Sequence, residues 1–297
     1  MTSHFQRRSV LALPGALAVA AALPAQAAAT APWTQEGIIR RPGLQIHYAT
    51  AGSGPTLVLL HKLGGWIADW RHIVPALAQK YKVIAIDCPG HGDSTVEGKP
   101  PYLLSLHETA ATILTALDEL GVKKFALVGN SLGGCVATCL AAVWPERVTH
   151  LGLLSVALFQ VTPRDQLDAL EPPGTWGPND EPQTRPWEDQ KKRFGIADKS
   201  TYEEQVASRA KAGPWVRPAQ RGVANGGVID YLARITAPTL LIYGEVPNQY
   251  SEYEKPGLAT AKSGRAVRIP KAGAFAHQDN PRATEKALLE FLAEKGA

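Results

Sequence analysis

The stretch Gly129-Asn130-Ser131-Leu132-Gly133 decides the fold, because it joins the apolar run 125–128 to a helical pattern that ends before Pro145. Glycines at both ends of such a stretch permit a tight, strained turn that exposes the central side chain. A serine hydroxyl acts as a nucleophile only when it is exposed, near a base and near donors that stabilise an oxyanion. The pattern therefore predicts Ser131 as a candidate nucleophile at the amino end of a helix, where the helix dipole favours negative charge.

Short apolar runs alternate with helical patterns outward from this turn. Five of these runs have the length expected of strands that are buried on both faces of a sheet. They are 56–60, 82–87, 148–154, 239–243 and 266–269. A hairpin is expected where 38–39 and 44–48 flank Pro42-Gly43. Because strands alternate with helices, the sequence predicts an α/β fold with a mainly parallel sheet and helices on both faces.

The region 159–236 departs from this alternation, since it is rich in proline, tryptophan and charge and its helical patterns are short. Trp176, Trp187 and Trp215 favour packing over disordered loops. The region is therefore predicted to be a helical cap inserted between two strands of the sheet. The predicted boundaries are a leader at 1–27, a first part of the core at 28–158, the cap at 159–236 and the rest of the core at 237–297.

The first residues have the features of an export signal. Arg7-Arg8-Ser9-Val10-Leu11 is a twin-arginine pattern, the Ala-rich apolar run 10–23 overlaps and follows it, and Ala25-Gln26-Ala27 is a small-x-small cleavage site. The alternative is a general secretory signal that contains a chance pair of arginines. Because the apolar run is too short for a stable membrane anchor, both interpretations predict a periplasmic or secreted protein cut near Ala27.

Charge and cysteine content exclude two classes of protein. The formal net charge of +4 includes Arg7 and Arg8 of the leader, so the remaining charge is small and no nucleic-acid partner is expected. Three cysteines, Cys88, Cys135 and Cys139, do not make a disulfide scaffold, and we expect them to be small buried side chains.

Four further segments make the chain similar to the α/β-hydrolase superfamily. The loop His61-Lys62-Leu63-Gly64-Gly65 resembles that family's His-Gly-x-Gly-Gly loop, and Asp-Cys-Pro-Gly-His-Gly-Asp-Ser at 87–94 resembles its Asp-x-Pro-Gly-x-Gly-x-Ser loop. The segments 236–245 and 269–273 resemble the approaches to the usual catalytic acid and histidine. Apart from the cap, the resemblance runs from about Ile38 to the carboxyl terminus. It points to the branch with lidded esterases, lactonases, carbon–carbon bond hydrolases, epoxide hydrolases and haloperoxidase-like enzymes.

This resemblance implies the chemistry of an acyl hydrolase. The backbone N–H groups of Leu63 and Leu132 would form the oxyanion hole, and each such donor stabilises a transition state by roughly 3–4 kcal/mol. The implied substrate is a small molecule with an ester, lactone or related acyl bond, and no metal or organic cofactor is required. A serine nucleophile argues against the dehalogenase and epoxide hydrolase reactions, which resemble this fold but use an aspartate.

The rest of the family's catalytic triad is missing at its usual positions. Relatives read Ala-Gly-His-Phe-x-His near the end, whereas this chain has Ala274 at the base position and a histidine only at His277. The usual acid position after Gly244-Glu245 holds Pro247, and an alternative acid position holds Ser155. Lys62 also replaces the first glycine of the oxyanion loop.

Three hypotheses account for this departure. In the first, the triad is shifted, so that His277 is the base and Glu245 orients it; the competing roles are a structural histidine and a surface glutamate. In the second, the chain is an inactivated variant of an enzyme with histidine at 274. In the third, the site is repurposed and Lys62 is a charged donor or a base rather than a side chain that faces solvent.

Two other classes of function stay open. One is a binding protein without catalysis, and the other is a lyase or isomerase that uses the same pocket. Trp66, Trp70 and the cap tryptophans predict an apolar or aromatic ligand. The alternative is that these tryptophans only pack in the hydrophobic core.

Overall fold

The computed structural model describes residues 32–294. Within this range the strands are β1 (Gln35–Arg41), β2 (Leu44–Ala51), β3 (Thr56–Leu60), β4 (Lys82–Ile86), β5 (Thr95–Val96), β6 (Phe125–Asn130), β7 (Val148–Leu154), β8 (Thr239–Gly244) and β9 (Gly264–Ile269). The α-helices are α1 (Val74–Leu77), α2 (Leu106–Glu119), α3 (Leu132–Val143), α4 (Trp187–Phe194), α5 (Lys199–Ala212), α6 (Val216–Asn225), α7 (Val228–Leu232), α8 (Glu254–Thr260), α9 (Ala276–Asp279) and α10 (Pro281–Leu292). Short 3-10 helices lie at Ile67–Trp70, Arg164–Gln166, Asp168–Leu170, Gly213–Trp215 and Ser251–Tyr253.

All nine of these strands belong to one sheet with the order β1-β2-β4-β3-β6-β7-β8-β9, and β5 pairs with β2. The β1–β2 hairpin and the pairs of β2 with β4 and β5 are antiparallel, whereas every pair from β4–β3 to β8–β9 is parallel. The predicted α/β fold with a mainly parallel sheet is therefore confirmed. In a parallel sheet the carboxyl ends of the strands share one edge, so the loops after β3, β6, β8 and β9 meet there.

Helices cover both faces of the sheet, as the continuous apolar strands require. In β3, Val58 and Leu60 belong to one hydrophobic core, which includes residues of α2 and α3. Leu57 and Leu59 belong to the other core, which includes residues of α1 and α10. Successive side chains of a strand point to opposite faces, so a strand buried on both sides must be apolar throughout.

Side-chain caps fix where two long helices begin. Ser105 and Glu108 form a reciprocal capping box at the start of α2, since each side chain bonds the other residue's backbone N–H. The Asn280 carboxamide accepts from the Ala283 N–H at 3.3 Å at the start of α10, where Pro281 takes the first helical position.

The segment between β7 and β8 contributes α4 to α7 and no strand of the sheet among the described residues. It includes the region predicted as a cap, whose boundaries stay a prediction. The predicted leader at 1–27 lies outside the described residues. Within the part of the chain that is described, no helix has the length and apolar character needed to span a membrane. Cys88, Cys135 and Cys139 are free and buried, as expected.

Candidate active site

Ser131 lies at the turn between β6 and α3 in a conformation that non-glycine residues rarely adopt, with φ 50° and ψ −112°. Such backbone strain costs on the order of 1–3 kcal/mol and persists only where the surrounding structure enforces it. Here the enforcing contact is between backbones, because the Gly133 N–H donates to the His61 carbonyl at 3.0 Å. A Cβ atom on Gly133 would lie 2.1 Å from the Leu60 carbonyl oxygen, so only glycine permits this approach. The predicted turn is present, and it presents Ser131 at the carboxyl edge of the sheet.

The hydroxyl of Ser131 bonds to a tyrosine and not to a histidine. Ser131 Oγ lies 2.9 Å from the Tyr250 hydroxyl. Tyr250 follows β8, and its backbone N–H donates to the Asn248 carboxamide oxygen at 2.9 Å. Burial raises the pKa of the Tyr250 phenol above its usual value of 10.0, and hydrogen bonds from Ser131 and Gln249 offset part of that rise. The phenol is therefore mostly protonated at neutral pH, where it is a hydrogen-bonding group, and only its small deprotonated fraction can accept a proton.

Position 274 lies beside the turn, where the family's base is expected, but it carries only a methyl group. The Ala274 carbonyl accepts from the Asn130 side chain at 3.2 Å, and the Ala274 N–H donates to the Phe194 carbonyl at 2.8 Å. The rings of Phe194, Tyr250 and Phe275 pack together next to this methyl group, with centroids 6.3 Å and 5.3 Å from the Phe194 ring. We call these three rings the aromatic cluster.

His277 does not complete a shifted triad. It is buried in α9, and its ring lies 4.4 Å from the ring of Trp70. Neither ring nitrogen has a hydrogen-bond partner within residues 32–294, so no bond joins it to Ser131. Burial lowers the pKa of His277 well below 6.5, and the nearby cations of Lys62, His72 and Arg71 lower it further. The imidazole is therefore a neutral core side chain, which corrects the prediction that it is the base.

Glu245 does not orient a histidine either. It is the first residue after β8 and is exposed to solvent. Its backbone N–H donates to the Ile269 carbonyl at 3.0 Å, which holds the chain at the sheet edge. Among the described residues no hydrogen bond or ion pair engages its carboxylate. The predicted acid is thus a surface side chain, and the shifted triad is not formed.

Lys62 is buried, contrary to the expectation that it faces solvent. Its ammonium group lies 2.6 Å from a carboxylate oxygen of Asp69, which is also buried. The same ammonium lies 5.5 Å from the centre of the Phe275 ring, at the edge of the aromatic cluster. In a buried pair of this kind each charge compensates the other, and removal of one partner leaves an uncompensated buried charge. Lys62 is therefore a fixed, neutralised part of the site wall.

The oxyanion loop is held by His61. Its Nε2 accepts from the Cys88 N–H at 2.9 Å, so Nδ1 carries the proton and donates to the Lys62 carbonyl at 2.7 Å. Burial lowers the pKa of His61, which keeps this ring neutral. Leu63, the next residue of the loop, lines the cavity that contains Ser131. The Leu132 N–H is the first of α3 and has no intrahelical partner. The oxyanion roles of Leu63 and Leu132 stay a prediction.

The loop after β4 supports the site from behind. The Asp87 carboxylate accepts from the N–H groups of Ile67 and Asp93 at 2.7 and 2.9 Å and contacts His47 Nδ1 at 2.9 Å. The ligand-type atoms of His47, Asp87 and Asp93 lie within 4.8 Å of one another. Because Asp87 is already fully engaged by protein donors and Asp93 pairs with Lys211, this group is a structural network.

A cavity of about 330 Å³ opens above Ser131. Its walls near the serine are Lys62, Leu63, Tyr250 and Phe275. The remaining lining includes three arginines and five glutamines, namely Arg185, Arg193, Arg209, Gln183, Gln190, Gln205, Gln220 and Gln249. No aspartate, glutamate or tryptophan lines it among the described residues. The lining thus combines the aromatic cluster with many polar and cationic side chains, whereas the tryptophans predicted an apolar or aromatic ligand site.

Sequence reasoning did not find Tyr250, Asp69 or the three arginines. Tyr250 lies six residues after the end of β8, in a loop that no motif describes. Asp69 lies in the 3-10 helix Ile67–Trp70, and only the unusual lysine at 62 could have prompted a search for a counter-ion. The arginines come from α4, α5 and the chain before α4, which are distant from Ser131 in sequence.

The comparisons with known proteins agree with this architecture. A family model described as "alpha/beta hydrolase fold" matches residues 55–281. The dihydrolipoyllysine-residue acetyltransferase component of the acetoin cleaving system of Pseudomonas putida is 40% identical over 111 residues, which are 37% of this chain and 29% of that protein. Bifunctional epoxide hydrolase 2 of Mus musculus is 32% identical over 126 residues, 41% of this chain and 22% of that protein. The chain thus spans less than a third of the length of either relative.

Solved structures resemble the chain over most of its length. The crystal structure of a hydrolase from Pseudomonas aeruginosa has a TM-score of 0.68 and 25% sequence identity. The similarity covers 88% of this chain and 99% of that one. The chain therefore shares its overall fold with a protein described as a hydrolase.

Proposed function

Because the chain belongs to the α/β-hydrolase family, we propose that it hydrolyses an ester, lactone or related acyl substrate through Ser131. The observation that carries this proposal is the strained Ser131 turn, because this serine lines a cavity together with Leu63 and is followed directly by Leu132, the first residue of α3. In the proposal Ser131 is the nucleophile, and the N–H groups of Leu63 and Leu132 are the two oxyanion donors.

In this proposal the Tyr250 phenol takes the place of the missing histidine. Its deprotonated form accepts the Ser131 proton as Oγ adds to the substrate carbonyl carbon, and the carbonyl oxygen becomes the oxyanion. When the tetrahedral intermediate collapses, the phenol gives that proton to the leaving alcohol and an acyl-serine remains. Water then adds with its proton passing to Tyr250, and that proton returns to Ser131 as the acid leaves. Because burial raises the pKa of Tyr250, only a small fraction is reactive at neutral pH.

The direct test is turnover of a panel of p-nitrophenyl esters and lactones by the protein and by Ser131→Ala. We expect the variant to lose at least about a hundredfold in kcat/KM, since removing a nucleophile leaves only binding and oxyanion effects. Ser200→Ala, an exposed serine in the first turn of α5, is the matched control and should leave the rate unchanged. Equal rates for the protein and Ser131→Ala would refute the proposal.

A second candidate function is ligand binding without catalysis. The observation that favours it is that no histidine or carboxylate bonds to Ser131 within the described residues. Labelling with a fluorophosphonate separates the two functions. Stoichiometric labelling that Ser131→Ala abolishes would support the hydrolase, whereas an unreactive serine in a folded protein that binds its ligand would support the binding protein.

The hypothesis of an inactivated enzyme is tested by Ala274→His. Position 274 lies against the turn, so an imidazole there would compete with the Tyr250 hydroxyl for Ser131. If the chain is an inactivated variant, we expect esterase activity at pH 7 to rise by at least tenfold. Because the site is fully buried, the added ring also overpacks it at a cost of about 1–3 kcal/mol, which denaturant unfolding would record. An unchanged rate in a folded variant would contradict the inactivated-enzyme hypothesis.

We also propose that the chain is exported through its twin-arginine leader. The support is the sequence pattern at 7–11 and the small-x-small site at 25–27. Replacing both Arg7 and Arg8 with lysine should retain the uncut protein in the cytoplasm, and cell fractionation measures this. Unchanged export would contradict the twin-arginine route.

A further inference from the structure

Three arginines that line the cavity above Ser131 have no ionic partner. Arg185, Arg193 and Arg209 share the cavity wall with Ser131. No carboxylate lies within 4.0 Å of these guanidinium groups among residues 32–294. A guanidinium group carries five N–H donors and keeps its charge at all physiological pH values, so these groups retain donors for a ligand. We call them the arginine cluster.

Other arginines of the same segment are paired. Arg217 bonds to Glu171 at 2.6 Å, and Arg221 bonds to a second oxygen of Glu171 at 2.9 Å. Asp180 and Asp168 add further carboxylates to these two arginines. The segment thus supplies acidic partners where arginine has a structural role, and it supplies none in the cavity.

The members of the arginine cluster are close enough to repel one another. Burial, together with the charges of Arg193 and Arg185, lowers the pKa of Arg209 to about 10. Burial likewise lowers the pKa of Arg193, and Arg185 adds to that effect. Like charges held together in a partly desolvated wall are unfavourable until an anion joins them.

Few protein acceptors engage these groups. Arg193 Nε donates to the Gln249 carboxamide at 2.6 Å, and Arg185 contacts the Thr175 hydroxyl at 3.3 Å. No hydrogen bond engages the Arg209 guanidinium among the described residues. The lining glutamines are neutral, so no acidic side chain in the described wall would oppose an anion.

The arginine cluster lies next to the reacting groups. The stem of Arg209 packs on the oxyanion loop, because a Cβ atom on Gly64 would lie 2.4 Å from Arg209 Cγ. Arg193 bonds to Gln249, which neighbours Tyr250 and thereby the Ser131 hydroxyl. A ligand whose acyl carbon lies at Ser131 would therefore extend toward the guanidinium groups.

We propose that the arginine cluster binds an oxyanion group, a carboxylate or a phosphate, on the substrate of this site. The substrate class is then an acidic acyl compound, such as the half-ester of a dicarboxylic acid, and not a neutral lipid or aromatic ester. Arginine suits this role because its planar donor pairs match the two oxygens of a carboxylate or phosphate. The identity of the cleaved bond rests on the proposed hydrolase function, whereas anion binding is independent of turnover.

The binding test uses isothermal titration calorimetry of the whole protein with glutarate, inorganic phosphate and neutral glutaramide. We expect at least one anion to bind ten times more tightly than glutaramide, and its affinity to fall as salt rises. Preference for glutarate or for phosphate identifies the source of the oxyanion. Equal affinity for glutarate, phosphate and glutaramide, or no anion binding, would overturn the proposal.

Single variants assign the binding to the cluster. Arg185→Gln and Arg209→Gln should each weaken anion binding by at least tenfold. The anion affinity of Arg185→Lys should lie between that of these variants and that of the unaltered protein. Arg282→Gln, which removes one exposed charge on α10, is the matched control and should bind as before. Since Arg209 is packed in the wall, circular dichroism first shows that its variant is folded. Undiminished binding by both folded glutamine variants would overturn the assignment.

A kinetic test separates the anion site from the hydrolase. The 4-nitrophenyl half-ester of glutarate should exceed 4-nitrophenyl butyrate in kcat/KM by at least tenfold, and Arg185→Gln should remove this preference mainly through KM. If glutarate binds but no ester is cleaved, the hydrolase proposal fails and the anion site stands. If both esters are cleaved equally and no anion binds, the anion site fails and the hydrolase stands.

Discussion

The pairing of Ser131 with Tyr250 separates this site from one built on histidine. An imidazole has its ordinary pKa near 6.5, so a histidine base is available at neutral pH. A buried phenol is neutral there, and Ser131 gains a hydrogen-bond partner but little activation. Ala274 makes the replacement possible, because a methyl group leaves room for the aromatic cluster beside the turn.

Replacing Tyr250 with phenylalanine tests the role of the phenol. Because the reactive phenolate fraction rises tenfold per pH unit below the raised pKa, we expect kcat/KM of the protein to increase continuously from pH 7 to pH 10. Tyr250→Phe should lower kcat/KM at pH 9 by at least about a hundredfold and flatten this rise. Tyr253→Phe is the matched control. A plateau near pH 7 would instead indicate a histidine base.

Lys62 is expected to matter for stability through Asp69. Lys62→Met leaves a buried carboxylate without its partner, which typically costs about 3–5 kcal/mol. Urea unfolding measures this loss, and Lys62→Met combined with Asp69→Leu should recover most of it because both charges are gone. The exposed pair of Arg41 and Glu119 is the control, since Arg41→Gln should cost at most about 1 kcal/mol. If Lys62→Met lost no more stability than Arg41→Gln, the interpretation that Asp69 depends on Lys62 would be contradicted.

At the scale of elements, the site depends on how closely α3 approaches the oxyanion loop. The Gly133 N–H bonds to the His61 carbonyl, and this contact places the start of the helix against the loop that contains Leu63. Helices α4 and α5 then add Phe194 and Arg209 to the cavity wall. The site is thus formed where a sheet edge, one helix start and two inserted helices meet.

Gly133→Ala tests this close approach. The new Cβ would lie 2.1 Å from the Leu60 carbonyl oxygen, and backbone atoms cannot rotate away as a side chain can. We expect a loss of at least about 3 kcal/mol in the free energy of unfolding, together with loss of fluorophosphonate labelling. Gly98→Ala is the control, because open space surrounds it and only its positive φ costs about 1–2 kcal/mol. Equal stability of the two variants would refute the steric argument.

Across the whole molecule, buried histidines link stability to pH. Burial lowers the pKa of His61 and His277, and it lowers the pKa of His91 to about 3. The unfolded chain therefore binds more protons than the folded chain below about pH 6.5, so stability falls as pH falls. His47 opposes this, because its hydrogen bond to Asp87 raises its pKa.

His277→Phe tests this linkage. We expect the stability of the protein to decline between pH 6 and pH 4.5, with His277 contributing about 1.4 kcal/mol per pH unit. The variant keeps an aromatic ring against Trp70 and should show a slope that is smaller by that amount. Unfolding at pH 8, where the residue is uncharged in both states, separates the packing cost from titration. An unchanged slope would show that His277 does not titrate on unfolding.

The sequence by itself determined the sheet, the Ser131 turn and the location of the site. Continuous apolar runs specify strands buried on both faces, and a serine between glycines after such a strand specifies the turn. It also showed that Ala274 and Pro247 stand where a histidine and an acid are usual. These are local features, because they depend on neighbouring residues and on a fixed order of elements.

Only the tertiary structure decided what surrounds Ser131. Tyr250 reaches the hydroxyl from a loop 119 residues away, and Asp69 neutralises Lys62 inside the core. Three arginines come together without acidic partners, although the sequence has acidic residues near each of them. Contacts of this range depend on how loops and inserted helices pack, and one-dimensional spacing does not encode that packing. The same reason explains why His277, three residues from the expected base position, packs against Trp70 and makes no hydrogen bond to Ser131.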